Sequence, residues 1–411
     1  MNLNAQNLRL DKNEIEINRD TYYLFFWFFI TILPQILLLS KGDHESVVLK
    51  AGLYSTFLLL TFLKTFKNRT KVRLKYVLSS ISLAIILIFS NFVISQSNAS
   101  ASIMVNISVI LLNYIILMVI FGNIRISILD LARMALLYEI FILYACVINF
   151  VEYGNMFSLI LRASHGHQFS FRSFFTNRNT FALFLFVGVI FTTLRLTITK
   201  SRFDKVVLLT IICNLFLTLS RTSILGICVF FVIFYIMKYK RDFVKSLIKI
   251  VLVLPVVAAL IVFVLGWDFI SGVLIRANRG TSGRTLIWSE LWKAYISGSL
   301  LFGQGFGILN DYFTHNSYIE IIVVGGLTSV LFYLWFYLET FAVIRKVLAF
   351  DNEIGSVFVA AFLGFLTVTM FESGIPFASS AKDTIFTLLF FLLPRYYLNY
   401  LRCSCIPKSS E

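Results

Sequence analysis

The chain has 411 residues, of which 58% are hydrophobic and only 14% are charged. Soluble globular domains contain about 45–50% apolar and about 25% charged residues, so this composition excludes a soluble domain, a nucleic-acid-binding protein and a disordered chain. It indicates an all-α, polytopic integral membrane protein. In such a protein the net charge of +15 first indicates membrane topology, because cytoplasmic loops are enriched in lysine and arginine.

Apolar runs predict about twelve transmembrane helices, since a helix needs about 20 apolar residues to cross the hydrocarbon core. In chain order the predicted spans are residues 22–40, 47–63, 76–95, 101–121, 126–150, 179–199, 205–220, 222–238, 246–265, 316–341, 354–372 and 382–399. Only the surroundings of Arg221 separate the seventh span from the eighth.

The distribution of basic residues predicts that both termini are cytoplasmic. With the N-terminus inside, the inner segments hold 25 of the 36 lysines and arginines, as the positive-inside bias requires. The sequence then divides into a cytoplasmic segment, N-terminal helices, an outer loop, central helices, a large outer loop, C-terminal helices and a cytoplasmic tail: residues 1–21, 22–150, 151–178, 179–265, 266–315, 316–399 and 400–411.

The outer loop 266–315 is longer than ordinary connections, so a structured functional segment is expected there. An amphipathic stretch around 285–297 predicts a short helix within this extracytoplasmic loop. Inside the membrane, Asp130 and Arg133 predict an i,i+3 ion pair. Glu139 and Glu320 lie deeper in apolar runs, where an ionisable side chain is costly and therefore a functional candidate.

Eleven basic residues remain on the predicted outer side, and seven of them are arginines: Arg162, Arg172, Arg178, Arg221, Arg276, Arg279 and Arg284. An arginine fork binds phosphate oxygens bidentately, and the alternative for each residue is a solvated loop charge or a headgroup anchor. Arg221 begins a span, where free backbone N–H groups favour an anion. Arg284 follows Arg276 and Arg279 in the large loop. Arg221 and Arg284 are therefore predicted to bind one anion.

His315 ends the large loop where the next span begins, beside Asn316 and Tyr318. The ordinary pKa of histidine is about 6.5, so a histidine can accept a proton at neutral pH. A structural hydrogen bond is the alternative role of a single histidine. Its place beside an arginine-rich loop at the membrane boundary makes His315 the candidate base.

The sequence predicts no metal site and no cofactor. The outer segments contain no Asp-x-Asp, and Asp43-His44-Glu45 in the first outer loop is only a weak alternative. The stretch Gly303-Gln304-Gly305-Phe306-Gly307 lacks the Lys-Ser/Thr ending of a phosphate loop, so it predicts a tight turn.

Four stretches, in this order, resemble the bacterial O-antigen ligase/polymerase superfamily of lipid-linked polysaccharide enzymes. They are FFTNRNTFA at 174–182, LTLSRTS at 217–223, SGRTLIW at 282–288 with LFGQGFG at 301–307, and HNSYIE at 315–320 with the glycine pair at 325–326. The resemblance covers residues 170–345, whereas the first 150 residues match only as generic spans.

The resemblance implies a glycosyltransferase of the GT-C structural class. It would transfer an oligosaccharide from undecaprenyl pyrophosphate to an acceptor hydroxyl at the outer face of the bacterial cytoplasmic membrane, without metal or nucleotide. Arg221 and Arg284 correspond to pyrophosphate-binding arginines, and His315 corresponds to the essential histidine. Further candidates for contact with substrate are Arg178, Arg279, Arg276, Asn177, Asn316, Tyr318 and Trp288. For Trp288, an interfacial aromatic belt is the alternative to stacking on a sugar.

Three functions are considered for a protein with these sequence features. The first is a polymerase of O-antigen or capsule repeat units, with membrane lipids, a lipid-linked donor, a glycan acceptor, a flippase and a chain-length regulator as partners. The second is a ligase that transfers finished glycan to lipid A core or another acceptor; its motif fits His315, Asn316 and Gly326 but then meets Ser329. The third, a flippase or transporter, should show repeat-related halves and charges lining a midplane cavity.

Overall fold

A computed structural model describes residues 22, 24, 73–94, 101–152, 171–175, 177–218, 220–238, 284–310, 314–378 and 380–404. Within these ranges the chain is helical and forms no β-strand beyond one isolated bridge between Ser299 and Gly303. Seven of the described helices are long and apolar enough to cross a membrane, judged by length and composition. The chain is therefore a largely α-helical protein with the features of a multi-pass membrane protein.

The described helices are numbered here in chain order. They are α1, Leu74–Ile94; α2, Ala101–Tyr114 continued by a π-helix Ile115–Ile120; α3, Ile128–Glu152; α4, Arg178–Thr199; α5, Arg202–Thr218; α6, Arg221–Lys238; α7, Arg284–Ser297; α8, Ser317–Phe350; α9, Asn352–Thr369; and α10, Ala381–Phe386 with a π-helix Thr387–Leu392 and Leu393–Ser404. Apart from α7, each matches a predicted span. The predicted spans 47–63 and 246–265 lie outside the described residues, as does 22–40 apart from Tyr22 and Leu24.

Close packing of small and aromatic residues joins the central helices. In a membrane, helices associate through such packing rather than through the hydrophobic effect. A Cβ atom at Gly364 of α9 would lie 3.1 Å from the Gly226 carbonyl oxygen of α6, so these two helices meet backbone to backbone. Nearby, the rings of Phe365 and Phe390 lie 4.7 Å apart and pack α9 against α10.

Ion pairs at one end of the bundle account for several charges within the apolar runs. Arg195 of α4 pairs with Glu139 of α3 and with Asp204 of α5, so Arg195 joins three helices. Arg133 lies 3.5 Å from Asp130, which confirms that predicted pair. These contacts give Asp130 and Glu139 structural partners.

A second network at the same end joins α1, α8 and α10. The guanidinium of Arg395, 2% exposed, pairs with Glu339 and donates to the Tyr76 hydroxyl. Lys75 also lies 2.7 Å from the Glu339 carboxylate. This network fixes three helices to one another.

Helix α8 is broken at Gly326, whose φ of 64° and ψ of −160° lie outside the helical region. The loop 298–305 supplies the hydrogen bonds that the break removes. The N–H groups of Gln304 and Gly305 donate to the carbonyls of Val323 and Val324, and those of Leu327 and Thr328 donate to the carbonyls of Leu300 and Leu301. Gly303 and Gly305 have positive φ in this loop, which confirms the predicted tight turn.

The helices alternate in direction, which places several chain segments at one end of the bundle. The Tyr318 hydroxyl donates to the Leu366 carbonyl, so the N-terminus of α8 lies beside the C-terminus of α9. At Gly226, an added Cβ would lie 2.4 Å from Val368, so the start of α6 is level with the last turns of α9. We call the end that contains Arg221, Ser317 and Thr369 the site end.

Candidate functional site

His315 lies in the left-handed region of the backbone immediately before α8. Its φ is +46°, a conformation that few residues other than glycine adopt and that clusters at functional sites. Asn316 then caps the helix, since its side-chain oxygen accepts from the N–H groups of Tyr318 and Ile319 at 2.9 and 3.1 Å. The cap defines where α8 begins and so fixes the position of His315 at its start.

One carboxylate lies between His315 and Arg284. Glu372 Oε2 is 3.5 Å from His315 Nδ1, and Glu372 Oε1 is 3.4 Å from Arg284 Nη2. The other terminal nitrogen of Arg284, Nη1, donates to the Phe371 carbonyl at 2.6 Å. The structure therefore brings together two of the three principal site residues, although 31 positions separate them in the sequence (315 − 284).

The side chains of His315, Arg284 and Glu372 differ in their solvent exposure. His315 exposes 39% of its side chain and Arg284 exposes 20%, whereas Glu372 exposes only 8%. The imidazole and the guanidinium can therefore meet a molecule from outside, while the carboxylate lies behind them.

A chain of hydrogen bonds holds the surrounding segments in place. The indole N–H of Trp288 donates to the Thr314 carbonyl at 2.6 Å and so joins α7 to the residue before His315. The hydroxyls of Thr314 and Ser373 lie 2.9 Å apart, and Thr314 also donates to Glu320 Oε2 at 3.4 Å. The segments before α8 and after α9 are thus linked beside the site.

Lys382, at the start of α10, adds a positive charge to the same region. Its Nζ donates to the Ser373 carbonyl. Lys382 also lines a small apolar crevice with Leu183 and Phe184 of α4, so the start of α4 lies at the site end.

Arg221 and Arg178 are at the site end, and each is the first residue of its helix. Arg221 begins α6 and is exposed, while Arg178 begins α4 and is partly buried. Both lie where backbone N–H groups of a helix favour a negatively charged ligand. Their predicted contact with substrate stays a prediction. Arg276 and Arg279 lie outside the described residues.

Three of the polar candidates have local structural contacts. Asn177 caps α4 through its bond from the Thr180 N–H at 2.8 Å, and Asn316 caps α8 as described above. The Tyr318 hydroxyl donates to the Leu366 carbonyl at 2.9 Å and accepts from Thr369 at 3.2 Å. Together with the Trp288 bond to Thr314, these contacts shape the site.

Glu372 and Lys382 are the site residues that sequence reasoning missed. Glu372 is the last residue of the predicted span 354–372 and precedes a short predicted outer loop. Its position in the sequence is therefore that of an ordinary residue at the end of a span. An acidic residue at the predicted outer boundary was the available signal.

The described residues contain no group of three or more His, Cys, Asp and Glu side chains able to hold a metal ion. Asp43-His44-Glu45 lies outside them. Within the described site, the chemistry available is that of an arginine fork for an anion and a histidine that can exchange a proton.

Residues 206–334 match a protein-family model described as O-antigen ligase. This match confirms the resemblance to the O-antigen ligase/polymerase superfamily, and it runs from α5 to the middle of α8. It includes Arg221, Arg284 and His315 but ends before Glu372. A comparison with curated proteins found no match.

Proposed function

We propose that this chain, whose residues 206–334 carry the O-antigen ligase domain, is a polymerase of undecaprenyl-pyrophosphate-linked repeat units of O-antigen or capsular polysaccharide. The reaction takes place at the outer face of the bacterial cytoplasmic membrane. The donor is the lipid-linked oligosaccharide, and the acceptor is a sugar hydroxyl. The protein is a metal-independent glycosyltransferase of the GT-C class with twelve spans and both termini in the cytoplasm.

The observation that carries this proposal is that Arg284 and His315 both contact the Glu372 carboxylate at the site end. Glycosyl transfer from a pyrophosphate needs a cationic group near the leaving group and a base near the nucleophile. Arg284 and His315 supply these two groups within one cluster, and both remain partly exposed.

In the proposed reaction, the acceptor oxygen attacks the anomeric carbon of the donor sugar. The bond between that carbon and the pyrophosphate oxygen breaks, and its electron pair leaves with undecaprenyl pyrophosphate. Arg221 and Arg284 stabilise the negative charge on the leaving group. His315 takes the acceptor proton. Because pyrophosphate is already a good leaving group, no general acid is required.

A ligase is the second candidate, and the description of the matched family as O-antigen ligase favours it. Its chemistry is the same, but its acceptor is lipid A core or another molecule rather than a growing chain. A flippase is the less favoured alternative, because the polar candidates concentrate at one end of the described bundle rather than around its midplane.

Deleting the gene separates the two enzymes. Loss of a polymerase leaves material with a single repeat unit on the cell surface, whereas loss of a ligase leaves intact polymer attached to undecaprenyl pyrophosphate. A glycan gel of the deletion strain, with the lipid-linked fraction analysed in parallel, distinguishes these results. Normal polymer on the normal acceptor would contradict both functions.

A further inference from the structure

Glu372 lies at the centre of the site, yet the reaction proposed above does not use it. Each of its two oxygens faces a different site residue, with Oε1 toward Arg284 and Oε2 toward His315. A carboxylate that is only 8% exposed is costly to bury unless such partners compensate it. A role in positioning the arginine and the histidine would account for its burial between them.

The backbone holds Glu372 in a defined position. Its N–H donates to the Val368 carbonyl at 3.1 Å, which ties it to the last turn of α9. Its carbonyl accepts from the Ser317 hydroxyl at 3.0 Å, which ties it to the first turn of α8. The carboxylate thus projects from a turn that two helices fix.

The contact with His315 determines which ring nitrogen meets the substrate. The Glu372 carboxylate lies 3.5 Å from Nδ1 of the imidazole, and a negative charge on that side favours the tautomer with the proton on Nδ1. The lone pair that accepts a proton is then on Nε2. The same arrangement orients the ring, because a carboxylate on one nitrogen directs the other away from it.

We propose that Glu372 is a positioning residue for His315, which holds Nδ1–H so that Nε2 takes the proton of the acceptor hydroxyl. This role rests on the proposed glycosyl transfer. During the reaction the acceptor proton moves to Nε2, the Nδ1 proton stays on the imidazole, and Glu372 remains a carboxylate that stabilises the positive ring.

The contact with Arg284 gives the same carboxylate a second effect. Because Oε1 faces Arg284 Nη2, Glu372 fixes the distance between the anion-binding fork and the base. It also competes with pyrophosphate for the guanidinium. Replacing Glu372 with a neutral amide should therefore slow catalysis without weakening the binding of the lipid pyrophosphate.

The experiment compares Glu372→Gln, Glu372→Asp and the exposed control Glu290→Gln of α7 in proteoliposomes. The donor is lipid-linked repeat unit extracted from the deletion strain, and kcat and KM are measured separately. Glu372→Gln should lower kcat by about 10- to 1,000-fold, at most part of the roughly 100- to 10,000-fold that a general base contributes, with KM unchanged or lower. Glu372→Asp should restore part of kcat, and Glu290→Gln should match the wild type.

A double-mutant cycle tests whether Glu372 acts through His315. If it does, adding Glu372→Gln to His315→Ala should lower the residual rate no further. The affinity for undecaprenyl pyrophosphate, measured by native mass spectrometry, should stay the same or rise in Glu372→Gln. This binding readout does not depend on turnover, so it also monitors the folding of each variant.

Two results would overturn the positioning role of Glu372. One is a wild-type kcat in Glu372→Gln while His315→Ala is inactive, which would leave the proposed function intact. The other is additive losses in the double variant together with weaker binding of undecaprenyl pyrophosphate, which would indicate a general structural role. A wild-type rate in His315→Ala would instead contradict the proposed base itself. The failure of the proposed function is thus distinguished from the failure of the positioning role of Glu372.

Discussion

At the scale of single residues, the proposed role of Arg284 depends on the geometry of its guanidinium as well as on its charge. Arg284 uses Nη1 for the Phe371 carbonyl and places Nη2 beside Glu372, so its plane is oriented by two contacts. A lysine has one nitrogen and cannot reproduce both contacts while also binding a phosphate oxygen. Arg221 stands at a helix N-terminus.

We therefore expect Arg284→Lys and Arg221→Lys each to reduce polymer formation about 10-fold or more, since a bidentate arginine contact is lost. Polymer is measured by glycan gel in the deletion strain, at matched levels of membrane-inserted protein. Arg172→Lys, at another exposed arginine of the predicted outer side, serves as the control and should give normal polymer. Normal polymer from both Arg221→Lys and Arg284→Lys would rule out the proposed pyrophosphate clamp.

The sequence could single out Arg221, Arg284 and His315 as candidates because each stands in a short motif, at the boundary of an apolar run for Arg221 and His315 and in the large predicted outer loop for Arg284. It could not identify Glu372, because the contact depends on how the end of α9 meets the start of α8. Asn177, Asn316 and Tyr318 were found by the same motifs, and the structure shows helix caps and an interhelical bond at these positions. A motif thus locates a site, but it does not show which of its residues act chemically and which support the structure.

At the scale of elements, the broken helix α8 and the loop 298–305 form one unit. The loop satisfies the backbone groups that the break at Gly326 exposes, and unsatisfied groups would be costly at membrane depth. The same loop follows α7, which carries Arg284, and α8 follows directly after His315. The break therefore fixes α7 relative to the start of α8.

We expect Gly326→Ala to lower the melting temperature in detergent and to abolish most activity. The φ and ψ of Gly326 lie in a region that is nearly exclusive to glycine, and another residue there costs about 1–3 kcal/mol. A Cβ atom would also lie 2.4 Å from the Leu301 carbonyl oxygen.

Gly188→Ala in α4 is the matched control for this substitution. Gly188 is also buried, but an added Cβ would meet only the Ile142 and Ile211 side chains, at 3.3 Å or more. It should therefore change stability and activity little. Equal melting temperatures and activities for Gly326→Ala and the wild type would show that the break does not position the site.

Element boundaries were largely predictable, because lipid-facing and core-facing positions in a membrane helix are both apolar and the run ends where polarity begins. The split at Arg221 is a clear example, with α5 ending at Thr218 and α6 starting at Arg221. The break at Gly326 was not predictable from hydrophobicity. It depends on hydrogen bonds from a loop more than 20 residues upstream in the chain.

At the scale of the whole molecule, the predicted topology requires one end of the bundle to face outward. The site end carries Arg221, Arg284 and His315, while the opposite end carries Lys75, Arg195 and Arg395 in ion pairs. The positive-inside bias predicts that the site end faces outward. A reporter fused after Glu290 should therefore be active only as an extracytoplasmic reporter.

A second fusion, after Lys200 in the turn between α4 and α5, is the internal control and should report a cytoplasmic position. Lys200 caps the C-terminus of α4, whereas Arg178 begins this helix at the site end. Cytoplasmic behaviour of the Glu290 fusion would reverse the orientation and remove the site from the face where the proposed donor is available.

The measurement that tests the central claim most directly is the stoichiometry of the reaction in proteoliposomes that contain only the purified protein and the lipid-linked repeat unit. Wild-type protein should release one undecaprenyl pyrophosphate for each new glycosidic bond, with no added metal, in the presence of EDTA. His315→Gln, which can hydrogen-bond an acceptor but cannot take its proton, should release almost none. Glycan elongation without release of lipid pyrophosphate, or a His315→Gln variant with the wild-type rate, would contradict the proposed mechanism.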